Sequence, residues 1–120
     1  MILGEVRRRF PRVTLTLPGR EKPLEIEFIV DTAFDGDLTV PADIARLLDA
    51  QPSGRRGLSL ADGSLFVSAA CEILLDWADE TRLTEVLILD GNPLLGVVLM
   101  DGLRLGAEME TGGEVSLEPL

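Results

Sequence analysis

Histidine and tyrosine are absent from this chain of 120 residues, and cysteine and lysine occur once each, as Cys71 and Lys22. Without His there is no Ser-His-Asp or Cys-His nucleophile system, and no imidazole to hold a metal. A lone Cys forms neither an intrachain disulfide nor a multi-Cys zinc site, which points to a reducing compartment. Long apolar runs are missing too. Leu94 to Met100, with one Gly inside, falls far short of the ~20 residues of a membrane helix. The stretch Met1 to Val6 shows neither a basic leader nor a small-residue cleavage site. The expectation is a soluble, cytoplasmic protein without a membrane partner, whose chemistry, if any, is carried by carboxylates and hydroxyls.

Basic residues are also scarce, 11 against 21 acidic ones, for a net charge of −10. Residues 1–60 hold nine basic and nine acidic side chains, whereas residues 61–120 hold two and twelve. Phosphate neutralisation needs an excess of Lys and Arg, so nucleic acid is not an expected partner. The cluster Arg7, Arg8, Arg9 and Arg12 reads as a solvated strand edge, kept from pairing by its charge, rather than as an anion patch.

What is present is enough apolar material, 46% of the chain, for one compact domain spanning residues 1–120. Alternation predicts strands with Val13, Leu15 and Leu17 on one face and through Leu24 to Val30. Pro41 to Leu48 carries Ile44, Leu47 and Leu48 at helical spacing, and Pro52-Ser53-Gly54 closes it. Asp62-Gly63 predicts a hairpin between Leu58-Ser59-Leu60 and Leu65-Phe66-Val67, its second arm continuing toward Leu75. Trp77 reads as part of a partly exposed turn, and Cys71 as a small buried side chain in a strand. Leu83 to Leu89 and Arg104 to Met109 predict further strands, with a short helix near Val98 to Leu103 and a closing hairpin around Thr111-Gly112-Gly113.

The chemistry-bearing segment is Phe28-Ile29-Val30-Asp31-Thr32-Ala33-Phe34-Asp35-Gly36. A carboxylate at the inner end of a core strand is costly unless it has partners or a task. One reading is a turn in which Asp31 accepts hydrogen bonds from backbone N–H groups two residues on. Another takes Asp35-Gly36-Asp37-Leu38-Thr39 as the Asp-x-Asp-x-Thr of haloacid-dehalogenase-type phosphotransferases. It fails, because Asp31 occupies the strand end and the one Lys lies upstream.

The third reading rests on Ile29-Val30-Asp31-Thr32-Ala33, on Leu94-Leu95-Gly96 before Val98 to Leu103, and on Leu60-Ala61-Asp62-Gly63-Ser64-Leu65 between them. In order and spacing these elements resemble the retropepsin-like aspartic proteases, above all the small bacterial and archaeal members related to retroviral proteases. The likeness runs from about Val13 to Val115. It implies a mainly β fold, a small closed β-barrel of acid-protease type with one or two short helices and a flap hairpin.

It further implies an aspartic endopeptidase with Asp31 as the catalytic residue. Thr32, Ala33, Leu94, Leu95 and Gly96 would support the catalytic loop, and Ala61, Asp62 and Gly63 would form the flap over the substrate. Family members usually have Gly where this chain has Ala33. No metal or cofactor is implied. Two carboxylates sharing one proton activate water and protonate the peptide carbonyl. One such Asp per chain requires a homodimer acting on a peptide or unfolded protein. The alternative is a catalytically impaired dimer of the same fold, serving as a peptide or protein interaction module.

Overall fold

The computed structural model describes residues 1–59 and 62–120. Ten strands follow one another as β1 (Ile2–Arg7), β2 (Phe10–Leu17), β3 (Leu24–Val30), β4 (Leu38–Val40), β5 (Gln51–Ser59), β6 (Leu65–Trp77), β7 (Glu80–Ile88), β8 (Leu94–Leu95), β9 (Leu103–Ala107) and β10 (Glu114–Pro119). A four-residue helix, α1 (Ala42–Ala45), follows β4. The strands form one sheet in the order β5-β6-β7-β4-β8-β3-β2-β1-β10-β9. The chain is therefore mainly β, as its alternation predicts. The sheet is open, with β5 and β9 as its two ends among the described residues, whereas the resemblance implies a closed barrel.

Alternation sets the core. Val13, Leu15 and Leu17 of β2, and Ile26, Phe28 and Val30 of β3, point inward with Leu38, Ile73, Leu75, Leu95 and Leu117. Phe28, Leu17 and Leu38 are fully buried. Each such side chain contributes about 1.5–3 kcal/mol relative to exposure.

Five further expectations are corrected. The Arg cluster is no unpaired edge: β2 has β1 and β3 on its flanks, and Arg8 and Arg9 form the two-residue turn of the β1–β2 hairpin. Both sit at positive φ, 50° and 72°, as the twist of a tight hairpin demands. Glu27 on β3 accepts from both Arg7 and Arg12, which is how the charge is accommodated beside paired strands.

The helix over Pro41 to Leu48 stops after Ala45. Leu48 bridges Gly19, Arg20 N–H bonds the Leu47 carbonyl, and Asp49 N–H bonds the Pro18 carbonyl, so cross-chain pairing replaces the later turns. Pro52 to Gly54 does not close a segment but lies within β5, at a bulge between Pro52 and Gly54.

Trp77 is buried at 5% exposure, and its Nε1–H donates to the Leu99 carbonyl at 2.9 Å. That contact explains the fifth correction. A helix over Val98 to Leu103 would need the Leu99 carbonyl for the Leu103 N–H. Trp77 holds it instead, Leu103 N–H bonds Met100, and the segment is a run of turns.

Candidate functional site

Asp31 follows β3 directly, and its backbone N–H donates to the Leu95 carbonyl at 2.9 Å. The strand end is thereby fastened to β8, which pairs in parallel with Ile29 and Val30 on one side and antiparallel with Leu38 and Thr39 on the other. A two-residue strand has little pairing of its own. Its position is set by backbone bonds to both neighbours and by the Leu94 N–H donating to the Thr39 hydroxyl. The segment Asp31 to Asp37 is the loop that leaves β3, passes over the end of β8 and returns as β4.

The loop rests on Leu94-Leu95-Gly96. Gly96 N–H bonds the Asp37 carbonyl, Val97 N–H the Phe34 carbonyl, and Val98 N–H the Gly36 carbonyl, at 2.9–3.1 Å. Gly96 has to be Gly, because a Cβ there would meet the carbonyl oxygens of Gly36 and Phe34 at 2.3 and 2.6 Å. Gly36 is similarly confined by the Phe34 ring, 2.5 Å from where its Cβ would sit. Phe34 is 8% exposed and packs with Ala70, Leu87, Leu58, Leu89 and Leu94 in a second, smaller apolar cluster.

At the head of this braced loop Asp31 is partly exposed, and its Oδ1 accepts the Ala33 N–H at 2.9 Å. Among the described residues its Oδ2 accepts no hydrogen bond. The Asp-turn reading thus has its geometry here. Thr32 and Ala33 are exposed, and no hydrogen bond engages the Thr32 hydroxyl among the described residues. Ala33 adopts an ordinary φ, so the position does not demand Gly for backbone reasons.

Asp35 and Asp37, which would add negative charge beside a carboxylate pair, have separate roles. Asp37 is buried, with Oδ1 3.2 Å from Arg82 Nη2 and Oδ2 accepting the Glu85 N–H at 3.0 Å. Its charge is turned toward β7 and met there. The Asp35 carbonyl accepts from Arg56 on β5, whose other guanidinium nitrogen bonds Glu85 at 2.6 Å. Arg56 therefore joins the β5–β6 hairpin, the Asp31 loop and β7. No sequence signal singles out Arg56, Arg82 or Glu85, since their partners lie 21 to 48 residues away.

The hairpin runs in register from Gln51↔Glu72 to Ser59↔Leu65. Ala61, one of the expected flap residues, lies outside the described residues, as does Leu60. Asp62 and Gly63 are exposed at the turn, Gly63 at φ +84°. Asp62 Oδ1 accepts from the Ser64 hydroxyl at 2.6 Å and its N–H at 2.9 Å, and these bonds hold the carboxyl below its ordinary pKa. They stay within the turn. The structure thus brings Asp31, Thr32 and Ala33 together with Leu94, Leu95 and Gly96. The hairpin is joined to the loop through Arg56, not through Asp62 or Gly63.

Cys71 is buried with Sγ 3.6 Å from the Val86 carbonyl, and burial pushes its thiol pKa up, as suits a packing residue. Among the described residues no group of three or more His, Cys, Asp or Glu side chains is placed to hold a metal. No helix among them is long and apolar enough to cross a membrane. The chain matches no protein-family model, no curated protein and no solved structure.

Proposed function

We propose that the protein is a homodimeric aspartic endopeptidase, with water activated between two Asp31 carboxylates, one from each subunit. The observation that carries this reading is the partly exposed Asp31 carboxylate at the end of a buried strand, on a loop fixed by β8. One oxygen takes the Ala33 N–H, and the other is left to face a partner carboxylate or water. Two such groups about a two-fold axis share a proton because both cannot ionise at close range.

On this reading the ten-stranded sheet is an acid-protease-type barrel left open between β5 and β9. The β5–β6 hairpin is the flap, covering an extended apolar peptide paired like an added strand. Thr32, whose hydroxyl is unengaged among the described residues, braces the two loops across the dimer. The lone buried Cys71 suits a cytoplasmic location. Ala33, where the family usually has Gly, favours the second reading, a dimer of this fold that binds peptides without cleaving them.

The test combines ultracentrifugation with cleavage of an unfolded protein between pH 3 and 7, in wild type and Asp31→Asn. The proposal expects a dimer, cleavage blocked by a statine-type transition-state analogue, and no cleavage by the variant. A dimer that binds peptide without turnover is the interaction module. A strict monomer overturns both readings.

A further inference from the structure

A groove of about 410 Å³ lies on the far side of the hairpin base from the Asp31 loop's own contacts, between α1 and the start of β5. Its floor is small and apolar: Ala45, Ala50, Pro52, Ala69 and Ile88, with Ala70 beneath. The bulge between Pro52 and Gly54 shifts the β5 register at this wall. The volume falls in the range of small-molecule sites, about 300–1,000 Å³.

Its charge runs against the composition of the molecule. The chain has nearly two acids for each base, yet the groove's ionisable lining is Arg20 and Arg46, with no Asp or Glu among the described residues. Arg20 donates through Nε to the Leu48 carbonyl at 3.0 Å, which fixes the guanidinium and leaves its other N–H groups free for a ligand. Arg46 ends α1 and is exposed. Neither forms an ion pair among the described residues. Both Arg side chains also reach the adjoining depression, where Lys22 adds a third positive charge and Glu21 a single negative one.

Two guanidinium groups over an apolar trough match a ligand with a carboxylate head and an unbranched apolar tail. The geometry points to a binding site for a medium-chain aliphatic carboxylate, its head between Arg20 and Arg46 and its tail over Ala45, Ala69 and Ile88. None of these residues belongs to the Asp31 loop, although Pro52 and Ala69 lie at the base of the hairpin proposed as the flap, and the test reads binding rather than cleavage.

The test titrates decanoate, below its micellar concentration, into the full chain at pH 7.5, read by calorimetry and by ¹H–¹⁵N spectra. Saturable one-site binding is expected, with shifts centred on Ala45, Ala50 and Ala69. 1-Decanol, which has the tail without the charge, is expected to bind at least about tenfold more weakly. Arg46→Gln, whose side chain holds no backbone carbonyl, is expected to weaken decanoate by about the same factor. Ala69→Phe, which fills the trough and keeps both charges, is expected to abolish the shifts. Equal affinity for decanoate and decanol, full binding by either variant, or shifts centred outside this groove would overturn the assignment.

Discussion

Gly96 and Gly36 meet backbone to backbone, so that a single methyl group on Gly96 would stand 2.3 Å from the Gly36 carbonyl oxygen. The contact closes the loop carrying Asp31 onto the strand inserted beneath it. Gly96→Ala is expected to destabilise the fold by about 1–3 kcal/mol, since the crowding atoms are backbone and cannot swing aside. Urea unfolding of the two proteins measures the difference. An unchanged midpoint would mean that the loop is not seated on β8 in solution.

Ala33 holds an ordinary φ and gives its N–H to Asp31. Gly at this position keeps the bond while freeing the unfolded chain. Ala33→Gly is therefore expected to lower stability by about 0.4–1 kcal/mol. Thermal unfolding would show it, and a stabilised variant would mean that the methyl is strained where it sits. Activity assayed in the same variant separates a steric effect on catalysis from one on folding.

Asp37 is expected to matter more for the loop than any other acid beside Asp31. Asp37→Asn keeps an acceptor for the Glu85 N–H and loses only the attraction to Arg82, a side chain 30% exposed, at a cost of about 1 kcal/mol. Asp37→Ala also leaves the Glu85 N–H without its partner in a buried setting, and is expected to cost about 2–3 kcal/mol. Denaturant midpoints for the pair of variants test the order. Equal losses would show that the N–H bond contributes nothing.

The Asp62 turn has a pH dependence with a definite sign. Hydrogen bonds from the Ser64 hydroxyl and N–H hold the folded carboxyl below its ordinary pKa. The turn is therefore fully formed above that ordinary value and loosens only as pH falls through the lowered one. The Ser64 amide resonance should titrate in that acidic window, and Ser64→Ala should move the midpoint upward. A Ser64 amide that ignores pH there would disprove the turn.

Much of the strand pattern was legible because it is local. Val13, Leu15 and Leu17 alternate, and Asp62-Gly63 marks a reversal, whatever the rest of the chain does. A turn near Trp77 was legible, but not its placement at Ala78-Asp79, since Ala is not a residue that favours the positive φ of 50° that the β6–β7 hairpin imposes. Trp77 looked exposed between acids, yet the same hairpin turns its ring inward onto Leu99.

Composition and local pattern suffice for a mainly β chain without imidazole or an intrachain disulfide, with one carboxylate at the end of an apolar strand. Those properties follow from composition and from neighbours in the chain. Only the tertiary structure decided that β8 slots between β3 and β4, that Asp37 turns to Arg82, and that Arg56 ties the hairpin to the Asp31 loop. Each depends on which distant strand edges meet, because a donor gives its hydrogen bond to whichever acceptor packing brings within reach. In the loop that carries Asp31, the Asp31 N–H reaches the Leu95 carbonyl and the Asp37 carbonyl receives the Gly96 N–H.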